Sequence, residues 1–569
     1  MTSRKYWTAF LLALLCSAHA WASVCTVFVH GYTRTSEEYF GKLPHQVLWD
    51  SSLPLLKAAP QVAAGILKEI STCPKDAPVI FRTHSYGAAQ VYYILSQGKR
   101  FQELYPNHPF VQIYKKTVAT YAYTGAFHGT PIMDLLCSSK VVMDIGDWAS
   151  KPCLLSLMTS PQLDVSHYVT SPGVPFYLLY STEDKAWLGI PGKIISHFGL
   201  SYFDHDVREL KTQNDNTLPT YATRGCSSSS PLLHPDDNCR KLDSNFFFDI
   251  YHETKLGHLD FRKNEKYMTK TQTKFLNNPL LSEKIKSIEV LKKQQDYPYN
   301  FIPVDSQTMG DPVARHNDYP ANWISIDKDN GFTARLNSEK IYFSNEDEAL
   351  FRVDFDGRNA PENVTLNTEI KKQNELIHSA DFAPSGRNTT YFKVALNQLD
   401  EGEYIVQTNV KVNKLITPVM RTFILNRSLP SSFEILEDQF TAEQNISLKA
   451  KIMAKKDSLY LIELTIKDLE GSPLATIEKI VKLSEGEQEI DLLIDGYYFY
   501  QNRLSGPFTV NEVAISEILP SLEIKRGKTI PTQFTTQAYH WAELKKVPTK
   551  DPVMAQKLFM LYKNPDAVE

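Results

Sequence analysis

The sequence predicts an α/β chain: a doubly wound, mostly parallel sheet over residues 23–290, followed by two all-β sandwiches over residues 327–430 and 431–545. Three observations carry that expectation. Up to about residue 290, apolar runs of strand length alternate with stretches of helical periodicity, as when crossover helices join parallel strands. Beyond it the apolar residues recur at every second position, as in Phe351-Arg352-Val353-Asp354-Phe355 and Ile462-Glu463-Leu464-Thr465-Ile466, with Gly, Asn and Asp turns between. The pattern Gly-x-aromatic-x-Val also recurs, in Gly402-Glu403-Tyr404-Ile405-Val406 and Gly506-Pro507-Phe508-Thr509-Val510, 104 residues apart. That interval matches one sandwich domain of the immunoglobulin-like size.

The elements follow in chain order. Residues 1–22 read as an export signal: Arg4 and Lys5, an apolar run over 7–16, then small residues ending Ala18-His19-Ala20-Trp21-Ala22, with cleavage after Ala20 or Ala22. The run is too short to span a bilayer, and no later stretch approaches twenty apolar residues. Residues 24–29 form the first expected strand. Val62, Ile66 and Ile70 recur at helical spacing within residues 61–70 and make the first crossover. Residues 78–83, 117–123 and 174–181 are the next strands, and residues 88–95 a helix after the second. A polar segment rich in Asn, Asp and Pro makes 291–326 a linker, and 546–569 is expected to be a C-terminal tail. With the signal removed, six cysteines remain, all before residue 290; in an exported chain they suggest disulfides, and neighbour pairing gives Cys25–Cys73, Cys137–Cys153 and Cys226–Cys239. None has zinc-site spacing.

Chemistry concentrates at Thr83-His84-Ser85-Tyr86-Gly87, between the second strand and its helix. A tight strand-to-helix turn pushes a serine Oγ outward, sets a backbone N–H beside it and aims a helix N-terminus at developing negative charge. Ser85 is therefore the candidate nucleophile. The usual pattern is Gly-x-Ser-x-Gly, and Thr83 stands at its first glycine. Upstream, the first strand runs into His30-Gly31-Tyr32; an oxyanion needs one donor from the residue after the nucleophile and one from the loop after an early strand, roles that suit the Tyr86 and Tyr32 amides.

At these residues the amino-terminal half resembles secreted bacterial lipases and esterases of the α/β-hydrolase superfamily, over roughly residues 24–290. Thr124-Gly125-Ala126-Phe127-His128-Gly129-Thr130-Pro131 is similar to a small-residue turn of many lipases, which makes His128 a turn residue rather than the base. The resemblance implies an acid and then a base, each after a strand. Asp184, after the apolar run 174–181, is the expected acid, with Glu183 the alternative. His258, in Leu256-Gly257-His258-Leu259-Asp260-Phe261, is the expected base, with His205 and His252 as competitors among 15 histidines. Asp260 matches a position that helps hold structural calcium in some lipases, and the sequence assigns no other ligand. The chemistry itself needs no metal or organic cofactor.

A net charge of -4 argues against nucleic acid as a partner. The expected activity is ester hydrolysis, of lipid or acylglycerol esters above all, by a secreted or periplasmic enzyme. Phospholipase and acyltransferase activities stay open, as does an exported adhesin or binding protein whose hydrolase-like half is inactive. The sandwiches are expected to be spacers or stabilising modules, or to bind a surface or polymer. A truncated chain ending near residue 290 is expected to keep some activity on a small soluble ester. Asn363, Asn388, Asn426 and Asn445 head Asn-x-Ser/Thr triplets.

Overall fold

A computed structural model of the chain describes residues 24–32, 43–127, 171–181, 246–253, 279–304, 324–327, 331–338, 340–344, 348–356, 363–372, 375–384, 388–413, 415–430, 432–527 and 529–563. Its amino-terminal part is a six-stranded sheet of β1 (Cys25–Val29), β2 (Gln46–Val47), β3 (Val79–His84), β4 (Thr117–Tyr123), β5 (Phe176–Ser181) and β6 (Phe247–Glu253). The order is β2-β1-β3-β4-β5-β6, and every neighbouring pair is parallel.

Helices cover both faces. α1 (Leu55–Ile70) buries Ala59, Val62, Ala63, Ile66 and Ile70, a stripe at helical spacing, and starts six residues before the stretch that periodicity marks. It shares a core with α2 (Tyr86–Arg100), with α3 (Pro109–Lys116) and with Val27, Val29, Phe81 and Leu178 of the sheet. The alternate strand residues Phe28, Ile80, Ala119, Tyr121, Tyr177 and Leu179 point to the other face, as the two-residue period of a strand requires. There they meet Leu291 of α4 (Pro279–Gln294) and Met554, Leu558 and Leu561 in the last 30 residues of the sequence.

The rest is predominantly β. A five-stranded sheet (Tyr342–Phe343, Leu415–Leu425, Gly402–Val412, Val364–Lys372, Glu375–Phe382) faces a four-stranded one (Thr389–Ala395, Glu348–Asp356, Phe332–Ser338, Ile324–Asp327). Phe351, Val353, Val406 and Phe423 fill the core between them. In the second sandwich, Ser432–Phe440, Ile446–Ala454 and Gly486–Ile494 form one sheet. The other has Ile524–Lys525, Thr509–Ile518, Ser458–Lys467, Pro473–Leu483 and Phe301–Pro303 in order, with Thr529–Thr535 also paired to Thr509–Ile518. The aromatic residues of the recurring pattern, Tyr404 and Phe508, are both buried, one in each core. α5 (Gly496–Asn502) closes the second core with Phe499.

Two segments reach across the chain. Phe301–Pro303, within the stretch expected as a linker, pairs antiparallel with Pro473–Leu483. The stretch expected as a tail holds α6 (Pro552–Lys563), which carries the three apolar residues that cover the parallel sheet. Both sandwiches also pack on the amino-terminal part: Ile341, Tyr342, Ile405 and Ile424 join its core, and Leu461, Ile518, Leu522 and Ile524 enclose Phe101 and Val111.

Cys25 and Cys73 form a disulfide with 5.8 Å between Cα atoms, tying the start of β1 to the chain before β3. The other two expected pairs lie outside the described residues. Asn426 and Asn445 are buried, and Asn445 Oδ1 accepts from the Gly496 N–H at 2.9 Å, so neither side chain is presented for glycosylation. Among the described residues no helix is long and apolar enough to cross a membrane.

Candidate active site

A parallel sheet sends every strand's carboxyl end to one edge, and the candidate residues gather where β1, β3 and β4 end. β3 is a fully buried strand, apolar over Val79-Ile80-Phe81 and polar over Arg82-Thr83-His84, where it stops. Ser85 follows with φ 52° and ψ -124°, and α2 starts at Tyr86. A non-glycine residue at positive φ costs on the order of 1–3 kcal/mol and persists only where its surroundings hold it. Three backbone hydrogen bonds do so here. The Ser85 N–H donates to Tyr123 O at 3.1 Å, and the Ser85 carbonyl accepts from Ala88 N at 3.0 Å and Ala126 N at 3.1 Å.

The neighbouring turns are fitted to this one. A Cβ on Gly87 would stand 2.5 Å from both Val29 O and His30 O, so only glycine lets the start of α2 lie against the end of β1. That approach brings the His30-Gly31-Tyr32 segment beside the Ser85-Tyr86-Gly87 turn. On the other side, Thr124 (φ 45°) donates its N–H to Leu179 O at 2.7 Å and opens the turn whose Ala126 bonds the Ser85 carbonyl. A Cβ on Gly125 would meet the Phe127 ring at 2.5 Å. Thr83 is wholly buried, with Oγ1 donating to Tyr121 O at 3.4 Å. The larger residue fits because its hydroxyl turns back to the adjacent strand.

A ring stack walls the site. His30 stacks on Trp49 (centroids 5.2 Å apart, planes at 23°), Trp49 tilts against Tyr86 at 5.4 Å, and the Tyr86 hydroxyl donates to Leu53 O at 3.1 Å. Burial lowers the His30 pKa to about 4; backbone contacts with Gly31 and Trp49 oppose the shift only in part. Its imidazole is therefore neutral near pH 7, with Nδ1 2.7 Å from Gly31 O. Read from the sequence, His30 is the end of a strand before the glycine turn, and Trp49 has no role. Trp49 carries no local signal, because only the fold brings position 49 between positions 30 and 86.

Ser85, Tyr32 and Tyr86 are thus at the meeting of the β1 and β3 ends, with the Ser85 side largely closed over and 8% of the residue exposed. Asp184, Glu183, His258 and Asp260 lie outside the described residues, as do His128 and His205. The chain leaves β5 at Ser181 and β6 at Glu253, both at the edge that carries Ser85, since β5 and β6 run parallel to β3 and β4. His252 is within β6, opposite Tyr180. Among the described residues no three His, Cys, Asp or Glu side chains group as a metal site.

No family model and no curated protein matches the chain. Solved structures similar to it include a DUF4785 family protein from Legionella pneumophila (11% identity, TM-score 0.28, 37% of this chain and 57% of that one). A metagenomic carboxyl esterase is 18% identical at TM-score 0.25, over 35% of this chain and 60% of that one. A Bacillus licheniformis lipase in propeptide form is 11% identical at TM-score 0.30, over 91% of this chain and 96% of that one. The match spans less than two thirds of the first two proteins. At these TM-scores none of the three likenesses carries an argument about this chain.

Proposed function

We propose that this chain is an exported serine hydrolase that cleaves carboxylic esters, lipid or acylglycerol esters in particular, through an acyl-enzyme on Ser85. The observation that carries the reading is the Ser85 backbone at φ 52° and ψ -124° between β3 and α2, with Gly87 pressed against the end of β1. Strain of this kind at a strand-to-helix turn supports a nucleophile whose Oγ projects from the sheet edge. In this reading His258 takes the Ser85 proton as Oγ attacks the ester carbonyl and returns it to the leaving alcohol. Asp184, three residues past β5, orients the imidazole, with Glu183 as the alternative acid. The Tyr86 and Tyr32 amides receive the oxyanion, each donor worth on the order of 3 kcal/mol of transition-state stabilisation. Neutral His30, stacked on Trp49, stiffens the loop that offers the Tyr32 amide. Water then repeats the cycle on the acyl-enzyme.

The parallel sheet with helices on both faces is taken as an α/β-hydrolase sheet, the two sandwiches as immunoglobulin-like modules, and Asp260 as a ligand of a structural calcium. The Cys25–Cys73 disulfide supports an oxidising, exported destination. Phospholipase and acyltransferase activities share the same acyl-enzyme, and substrate panels separate them.

The test is fluorophosphonate labelling of the purified mature protein with peptide mapping. Adduct at Ser85 in the native chain and none in a folded Ser85→Ala variant is expected, with ester turnover in that variant reduced on the order of 10⁴-fold or more. A well-folded native sample that takes no label would overturn the reading and leave the binding-protein alternative.

A further inference from the structure

α2 follows Ser85 directly and ends at Arg100; a helix of 15 residues is a rod about 22 Å long. All 15 residues are buried, including Gln90, Ser96, Gln97, Lys99 and Arg100, whose side chains would ordinarily face water. The far end of the rod is gripped by the second sandwich. Arg100 donates from Nε to Glu478 Oε2 at 3.1 Å and from Nη2 to Glu478 Oε1 at 2.6 Å, a two-point clasp. Nη2 also donates to Glu463 Oε1 at 3.3 Å, and Glu463 Oε2 accepts from Arg526 Nη1 at 3.2 Å. None of these four side chains is more than 7% exposed.

Glu463 and Glu478 stand directly opposite each other on adjacent antiparallel strands of the sandwich. Two like charges at such a cross-strand pair repel, and burial sharpens the repulsion. Arg526, from the same sandwich, pairs with Glu463, whereas Arg100, from the helix behind Ser85, bridges both carboxylates. The sandwich thus draws a bridging cation from the other part of the chain. Burial would lower the Arg100 pKa, but the two carboxylates outweigh it and hold the guanidinium charged.

We infer that Arg100 is a positioning residue for Ser85, and that the second sandwich, through Glu463 and Glu478, is a working part of the active site. The inference rests on Ser85 as the nucleophile. A rod fixed at one end fixes the other. Displacement of the Ser85-Tyr86 turn by about 1 Å is enough to cost on the order of 100-fold in rate when attacking oxygen and oxyanion donors must both align.

The test compares the full chain with its Arg100→Met, Arg100→Lys and Glu478→Gln variants. It reads kcat and KM on a soluble ester, the rate of fluorophosphonate labelling at Ser85, and hydrogen exchange of residues 84–92. Arg100→Met is expected to lower kcat about tenfold or more with KM little changed. It should slow labelling in proportion and speed exchange at 84–92, while Arg100→Lys recovers part of each. Should Arg100→Met not fold, Glu478→Gln, which keeps a hydrogen-bond acceptor, is expected to move all three readouts in the same direction by less. A folded Arg100→Met with native kcat and native exchange at 84–92 overturns the inference; if only Glu478→Gln folds, native values in that variant do the same. A native chain that takes no label overturns the nucleophile reading and the active-site role built on it, and exchange at 84–92 shows separately whether the clasp holds the turn.

Discussion

Ser85 holds a conformation that few residues other than glycine adopt, and the hydrogen bonds to Tyr123, Ala88 and Ala126 keep it there. The same edge makes His30 sensitive to acid. Its pKa is lowered by burial from 6.5 to about 4, so between those values the unfolded chain binds the proton and the folded chain does not. Folding stability therefore falls as pH is lowered through that window, by at most about 3 kcal/mol from this group, and His30 contributes no further loss below it. Thermal melting between pH 7 and pH 4 should show the decline, and His30→Gln, which has no proton to gain, should flatten that part of the profile. An unchanged slope in the variant would assign the acid sensitivity to other groups. Of this residue-scale detail, the serine and its two flanking turns were legible, since Thr83-His84-Ser85-Tyr86-Gly87 and His30-Gly31 are local patterns. The Trp49 wall was not, because nothing in the sequence near position 49 marks its approach to His30.

Among the elements, β1 and β3 are held by more than their ladder. The Cys25–Cys73 bridge closes a loop with a sequence separation of 48, and loop-closure entropy for that length makes it worth about 4 kcal/mol at most. Replacing both cysteines by alanine should lower stability by about 2–4 kcal/mol and steepen the denaturant transition, because the unfolded chain without the cross-link exposes more surface. A shift below about 1 kcal/mol would mean that the unfolded chain is already constrained there. The strands that the sequence makes plain, β1, β3, β4 and β5, each carry a run of apolar or aromatic residues, and β3 and β4 are buried throughout. The elements it hides are short or mixed. β2 has two residues, β6 reads Phe247-Phe248-Asp249-Ile250-Tyr251-His252-Glu253 and mixes charged with apolar positions, and the eight-residue α3 rests on a His108 cap and Pro109 rather than on a long periodic stripe. α2 is longer than its apolar part because Gln97, Lys99 and Arg100, polar enough to suggest a solvated end, are buried, with Arg100 held by partners more than 300 residues away.

At the scale of the whole molecule, the contacts between the sandwiches, α6 and the parallel sheet argue for a different outcome from that of an independent amino-terminal hydrolase. A chain ending near residue 290 would strip Arg100 of Glu463 and Glu478 and expose Phe101 and Val111, now enclosed by Leu461, Ile518, Leu522 and Ile524. It would also lose α6, whose Met554, Leu558 and Leu561 cover the sheet face of Ala119 and Tyr121. Each large apolar side chain returned to water forfeits roughly 1.5–3 kcal/mol, and several together reach the roughly 5–15 kcal/mol that holds a typical domain folded. Such a chain should therefore be recovered mostly insoluble, or soluble without a cooperative melt and without ester turnover, while the full chain melts cooperatively. Removal of residues 546–569 alone should lower the melting temperature by several degrees, because it uncovers the α6 face and breaks the bonds of Thr549, Lys550 and Asp551 to Asp495, Asp296 and Gln295 but leaves the Arg100 clasp intact. Soluble expression, a sharp melt and Ser85 labelling in the 290-residue chain would together show that the sandwiches and α6 are accessories, and would return the active site to the amino-terminal half alone.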